Sequence, residues 1–363
     1  MKNNNIYVDI HVIQTVPPSC VNRDDTGTPK SCTYGGVKRS RVSSQSWKRA
    51  VRLAFRDMYD EKDLANRTMK VVDMIESNIL ELNPEVKARD LANAMFKCAI
   101  EKNKKDKSDI KKEIKLEALF FMSHAQAKAL AEIAINMSDK KINRKEIELI
   151  CYEALKNNPS IDMALFGRMV ASDPSLNYDA AAMVAHSIST HKVQTEFDYF
   201  TAVDDCASEE NAGAGHLGTV EFNSSTLYRY ASVNVSELKD NLAAETPKAV
   251  RDFVEAFLLS MPTGKITTFA NRTLPNAVYI TVRKDQPVNM APAFECPVLP
   301  DENGGYVQGS KKQLVKYAKD IYESFVSEPE KAWTIGTGLE ELGTKNNINL
   351  VLSELEELLT EMQ

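Results

Sequence analysis

Ile6, Val8, Ile10 and Val12 alternate with polar neighbours, which predicts a strand over residues 5–14 with one buried face. The stretch that follows, PPSCVNRDDTGTPKSCTYGG, is rich in Pro, Gly, Asn and Asp and reads as a long loop. The period then becomes helical. Trp47, Ala50, Val51 and Ala54 form an apolar stripe, with Gln45, Lys48, Arg49 and Arg52 on the other side and Ser43 or Ser44 available as N-cap.

From about 57 to 190 the pattern is helical almost throughout, with segments near 62–81, 86–102, 110–122, 124–137, 144–156 and 178–190. Within this block EKNKKDKSDIKKEIK (101–115) mixes lysines with acids and reads as a solvated helix face and linker. After residue 192 the β-prone runs VQTEFDYFTAVDD and HLGTVEFNSSTLYRYASVNV flank the polar CASEENAGAG. They predict a long hairpin at about 194–224 running into a strand at about 226–235. Helices over 245–261 and 311–326 and a strand over 276–284 complete the chain. The order suggests an α+β sandwich of the ferredoxin or RRM type, built from 1–57 and 191–363, with 58–190 as an all-α insertion.

The 363 residues, 43% hydrophobic and 26% charged, give ample material for a core. No apolar run approaches the roughly 18–20 residues that span a bilayer, and the N-terminus lacks a secretory pattern, so a cytoplasmic protein is expected. Six scattered cysteines without a CxxC pair argue against zinc and disulfide frameworks, and no metal or cofactor is expected. The net charge of −6 conceals segregation. Lys38, Arg39, Arg41, Lys48, Arg49, Arg52 and Arg56 occur between Val37 and Arg56 with no carboxylate among them, whereas DDCASEEN (204–211) and LSELEELLTE (352–361) are acidic.

Two phosphate-loop patterns do not hold. GAGHLG (213–218) lacks the strand before and helix after that a dinucleotide site needs, and reads as part of a hairpin tip. In PTGKIT (262–267) Leu259 stands where the first Gly belongs and Ile266 follows the Lys. Asp24 and Asp25 are the remaining chemical candidates. Paired carboxylates can hold Mg²⁺ or act as a base, but Asp is also a turn former, and the reading here is that both shape the loop. No residue is expected to be catalytic. The helix after Ser44 has no acid at i±4 to balance its cations, which favours phosphate or nucleic-acid binding over a merely solvated face.

PSCVNRDD (18–25), GGVKRSRVSSQSWKRAVR (35–52), DMALFGRM (162–169), AMVAHSISTHKV (182–193), DYFTAVDD (198–205), AGHLGTVEF (214–222) and YRYASVNV (228–235) together closely resemble the CasC family. CasC is the backbone subunit of Cascade, the RNA-guided surveillance complex of type I-E CRISPR systems. The resemblance implies an RRM-like palm, a helical fingers domain and a hairpin thumb. It implies several copies head to tail along a CRISPR RNA, with CasA, CasB, CasD and CasE as further partners, presenting the spacer to target DNA by base pairing. It places Arg23, Gln45, Lys48 and Arg49 on RNA phosphates with Lys38, Arg39 and Arg41 nearby, Arg168 and Met169 close to the RNA, and Phe200 and Thr201 where a base is turned out. Val37 departs from the basic residue expected there in some relatives. Two other classes compete: a type III-like backbone ribonuclease using Asp24 or Asp25, and a stand-alone RRM-type RNA chaperone. The thumb, polar at its tip, is expected to become ordered over RNA and against a neighbouring copy.

Overall fold

In the computed structural model, which describes residues 5–100, 119–138, 144–157, 159–170, 173–202 and 216–362, the alternating segment near the N-terminus forms β1 (Tyr7–Ser19). The lysine-rich 101–115 stretch, most of the helix expected over 110–122, and the acidic 204–211 and tip 206–215 of the hairpin lie outside the described residues. β1 is longer than the alternation predicts because its end goes on pairing on one side, from Thr15 opposite Thr226 to Ser19 opposite Asn223. After it come β2 (Ser31–Tyr34), β3 (Val37–Val42) and α1 (Ser44–Met58). The chain divides into two compact units. Met1–Ala54, Met183–Ser236 and Val250–Gln363 form the first, and Phe55–Ala182 with Glu237–Ala249 the second.

The second unit contains β4 (Ala65–Thr68), α2 (Val71–Leu82), α3 (Ala88–Ala99), β5 (Phe120–Ser123), α4 (His124–Ser138), α5 (Arg144–Lys156) and α6 (Ile161–Phe166). Ile75 and Ile79 of α2, Phe96 of α3, Leu130 of α4 and Leu155 of α5 meet in its core. The block is not all-α. β4 and β5 pair antiparallel from Ala65↔Ser123 to Thr68↔Phe120, inside segments whose composition reads helical. Four residues are too few to show a two-residue period, so pairing across a long sequence separation decides their state.

The chain re-enters the first unit through β6 (Ala182–Val184) and β7 (Ser187–Ser189), where the sequence predicts a helix over 178–190. Hydrogen bonds to β9 and β3 override the local alanine content there. β8 (Glu196–Ala202) and β9 (His216–Asn234) form the expected ribbon, with Phe200 opposite Gly218. Then follow α7 (Val235–Leu242), α8 (Thr246–Leu259), α9 (Ile266–Phe269), β10 (Ala277–Arg283), α10 (Val307–Ser324), β11 (Lys331–Gly336), β12 (Thr344–Lys345) and α11 (Ile348–Glu361). The sheet order is β12-β11-β10-β1-β9-β7-β3-β2, antiparallel except at β11–β12, with β6 and β8 also pairing β9.

The two faces of β1 differ. Val8, Ile10 and Val12 are fully buried beside Val282, Ile280 and Val278, each worth about 1.5–3 kcal/mol of burial. On that side Arg229, opposite Val12, lies between Trp47 of α1 and Phe257 of α8, 3.8 and 4.4 Å from the ring centroids. The other face is polar and aromatic, and Leu314, Val315 and Ala318 of α10 pack against Tyr228, Tyr230 and Tyr279 there. His11 Nδ1 is 2.8 Å from the Tyr228 hydroxyl, and Asp9 accepts from the Tyr230 hydroxyl (2.9 Å) and the Val288 N–H (2.8 Å). Burial pushes Asp9 up to about 6 and His11 down to about 3.

Candidate nucleic-acid interface

The loop after β1 is closed by its own side chains. Asp24 Oδ1 accepts from the Thr26 and Thr28 N–H groups (3.0 Å each) and from the Thr26 hydroxyl (2.7 Å). These bonds, the Thr26 hydroxyl foremost, hold the Asp24 carboxyl below its ordinary range. Asn22 Oδ1 accepts the Ser43 N–H at 2.9 Å, which ties the loop to the start of α1. Ser43 Oγ caps the helix at the Ser46 N–H, 3.4 Å away.

The apolar stripe fixes which side of α1 faces outward. Trp47, Ala50 and Val51 are buried, and the Trp47 indole N–H donates to Ser187 Oγ at 2.9 Å. Gln45, Arg49 and Arg56 are exposed, and Lys48 and Arg52 are half-buried. Arg23 and Arg49, distant in sequence, line the same open groove of about 500 Å³. Its walls are the 21–27 loop, Ser46–Leu53 of α1, and a third segment, Met261–Gly264, that the sequence reading did not assign to any site. Its only sequence trace is PTGK, a pattern that fails as a phosphate loop because a helix, α8, precedes it.

The basic segment that leads into the helix is the strand β3, which divides its three cations. Lys38 is exposed and donates to Thr195 Oγ1 at 2.8 Å. Arg41 donates from Nε to the Ser31 carbonyl (3.3 Å) and from Nη1 to His186 Nδ1 (3.2 Å). Because Arg can only donate, that nitrogen of His186 is the acceptor, and burial followed by Arg41 and Lys30 keeps the imidazole below its ordinary pKa. Arg39 is fully buried and donates to the carbonyls of Tyr34, Ser189, Phe294 and Glu295, at 3.1, 2.9, 2.8 and 3.2 Å. Expected beside the RNA, its guanidinium instead joins β2, β7 and the segment after β10, since pairing alternates β3 residues inward and outward.

Arg168, in the second unit, differs from expectation in the same way. At 3% exposure it donates to the carbonyls of Leu176 (2.9 Å), Phe121 (3.3 Å) and Leu155 (3.0 Å) and to Gln126 Oε1 (3.1 Å), between the rings of Phe120 and Tyr178. Burial lowers its pKa to about 10, and it stays charged at neutral pH. Its neighbour Met169 is 86% exposed, as a contact residue would need to be. On the ribbon every residue of β8 is exposed. Phe200 lies over Gly218, where a Cβ would come within 2.3 Å of its ring, while Thr201 stands on the opposite face with Phe197 and Tyr199. Among the described residues no cluster of His, Cys, Asp and Glu could hold a metal ion, and no helix is long and apolar enough to cross a membrane.

Sheet, helical unit and groove together define an α+β protein that presents a cationic helix beside an open cleft. The chain belongs to the CT1975-like protein family, which matches it over residues 8–361. It is similar to a solved chain of a CRISPR RNA-guided surveillance complex described as pre-nicking, at 33% identity and a TM-score of 0.80, over 96% of this chain and 100% of that one. A chain of another CRISPR RNA-guided surveillance complex is similar at 29% identity and a TM-score of 0.61, over 96% and 99%. No curated protein matches it.

Proposed function

We propose that the chain is the non-catalytic backbone subunit of a Cascade-type surveillance complex, of type I-E, acting in antiviral defence in the cytoplasm. Several copies assemble head to tail on a CRISPR RNA and present its spacer to target DNA, with CasA, CasB, CasD and CasE as the other subunits. In this reading the first unit is an RRM-like palm, β8 with the start of β9 is the thumb, and the second unit is the fingers. The observation that carries the proposal is end-to-end similarity to a chain of an RNA-guided surveillance complex, 96% of one on 100% of the other. The cleft lined by Arg23 and Arg49 supports it, since two guanidinium groups on rigid supports suit a phosphate backbone.

Affinity purification of a tagged chain from its native cells tests it. RNA of one short, uniform length together with several distinct proteins is the expected result; the chain alone, or with RNA of mixed length, would reject it. The involvement of Asp24 in its own loop supports a structural rather than catalytic part. Assembled complex given Mg²⁺ and RNA complementary to the guide should leave that RNA intact. Cutting at regular intervals that Asp24→Ala or Asp25→Ala abolishes would make the chain a ribonuclease.

A further inference from the structure

Behind the cleft lies a cation that the function proposed so far does not use. Arg229, on β9, is 1% exposed, and no carboxylate among the described residues lies within ion-pair distance of it. Its guanidinium packs against the rings of Trp47 on α1 and Phe257 on α8. Nη2 donates to the Phe257 carbonyl and Nη1 to Gln14 Oε1. Phe257 belongs to the last turn of α8, where helix carbonyls run out of intrahelical donors and a positive charge is favoured. That placement offsets part of the cost of burying an unpaired charge. Burial alone lowers the arginine's pKa to about 9, and it stays charged at neutral pH.

The partners of Arg229 lead to two walls of the cleft. Trp47 is on the inner side of α1, whose Ser46 and Arg49 line the opening. α8 ends at Leu259, and the chain that continues from it, Met261–Gly264, is the third wall. Gln14 holds that wall a second time, with Nε2 3.2 Å from Met261 Sδ and 3.0 Å from the Thr273 carbonyl oxygen. The Thr273 N–H also reaches Met261 Sδ, at 3.3 Å. At its far end the wall is pressed on the segment after β1, where a Cβ on Gly264 would fall 2.1 Å from the Val21 carbonyl oxygen. The third wall is thus fixed to the 21–27 loop through Gly264 and to α1 through Arg229. An apolar side chain could fill the space beside the two rings. A planar guanidinium also directs one N–H at a helix end and another at Gln14.

We propose that Arg229 is a positioning residue for RNA binding, which sets the spacing between Arg49 on α1 and the Met261–Gly264 wall and touches no RNA itself. This rests on the reading of the cleft as an RNA site. The test measures binding of a labelled single-stranded oligoribonucleotide by the full chain over a series of KCl concentrations, well below the melting temperature of each variant. Arg229→Lys keeps the charge and loses the fork; Arg229→Met keeps the packing and loses both. Each should weaken binding roughly tenfold and leave the slope of log K against log salt as in the parent, because the cations that face phosphate remain. Arg49→Ala alone should flatten that slope by about 0.7. Added to it, Arg229→Met should weaken binding by less than it does alone, since the side chain it positions is gone. Gln14→Leu cuts the link to Met261 and should show a smaller loss at unchanged slope; should neither Arg229 variant fold, full affinity in Gln14→Leu overturns the inference. Full affinity in the folded Arg229 variants, or losses that multiply with that of Arg49→Ala, would leave Arg229 a core residue without a part in binding. A flattened slope in Arg229→Met with full binding in Arg229→Lys would make it a source of charge, not of position. If Arg49→Ala changes neither affinity nor slope, the RNA reading of the cleft fails and the inference with it.

Discussion

In the first unit, Arg23 and Arg49 stand on the walls of an open cleft; in the second, Arg168 is 3% exposed and gives its guanidinium to three carbonyls and a glutamine. The two regions use one residue type for opposite ends. In the cleft the two guanidinium groups make no hydrogen bond or ion pair to another described residue. Around Arg168 the donors serve buried backbone carbonyls of three separate segments, and the planar fork reaches them where an ammonium would not. A count of basic residues therefore does not measure a binding surface. What measures it is the number of donors left over once the chain's own carbonyls have been served.

Arg168→Ala should break this contrast most sharply. It takes a charged donor from the carbonyls of Phe121, Leu155 and Leu176, of which Leu155 keeps the Gln126 amide, and removes the cation packed against Phe120 and Tyr178. A loss on the order of 3–5 kcal/mol is expected in urea unfolding, with little rescue by Arg168→Lys. The salt dependence of RNA binding by the folded fraction should stay as it was; a flattened slope would return Arg168 to the interface.

The converse variant, Arg23→Ala with Arg49→Ala, should leave the melting temperature within about 1 °C while RNA affinity falls roughly 10- to 100-fold. The slope of log K against log salt should drop by about 1.4, twice the single-strand contribution of one phosphate contact. Loss of stability without a change of slope would make the cleft a structural feature like the Arg168 site.

A third test lies under α10, where two buried groups oppose each other. His11 is held near 3 against 6.5, so its contribution to stability is full above about pH 6.5 and is lost as pH falls toward 3. Asp9 is held near 6 against 3.8, so its contribution is full below 3.8 and is lost as pH rises through 6. Between about pH 3.8 and 6 the two slopes, each up to about 1.4 kcal/mol per pH unit, offset one another. His11→Phe should unmask Asp9 and gain stability on acidification through that window, whereas Asp9→Asn should lose it faster than the parent. Urea midpoints across the window decide; parallel profiles for all three proteins would mean that neither group titrates with folding.

The smallest effect is expected at Phe200, on a ribbon exposed along its whole β8 strand. Phe200→Ala uncovers Gly218 and should cost the free chain less than about 1 kcal/mol. In an assembled complex it should alter how guide bases meet target DNA more than whether subunits bind RNA, since stacking is worth roughly 1–3 kcal/mol per base. Equal target binding with and without the ring would remove Phe200 from the interface.

The amino-acid sequence alone determined those features whose cause is local. The alternation from Ile6 to Val12 specifies β1, and the Trp47, Ala50, Val51 and Ala54 stripe specifies both α1 and the side on which Arg49 is presented. The two β-prone arms around a polar tip specify that β8 and β9 pair. The quoted motifs also pointed to a CRISPR backbone family, and the match over residues 8–361 with the similarity to surveillance-complex chains agrees at that level. Tertiary structure decided the rest. Four-residue β4 and β5 and three-residue β6 and β7 are too short to carry a period, and partners far along the chain make them strands. Whether an arginine faces outward or inward is settled by carbonyls as remote as Glu295 for Arg39 or Phe121 for Arg168, which no spacing reveals. The third wall of the cleft was likewise hidden. Gly264 acquires meaning only when folding presses it on the carbonyls of Cys20 and Val21, more than two hundred residues upstream, because a short motif has chemistry only in the surroundings that the rest of the chain provides.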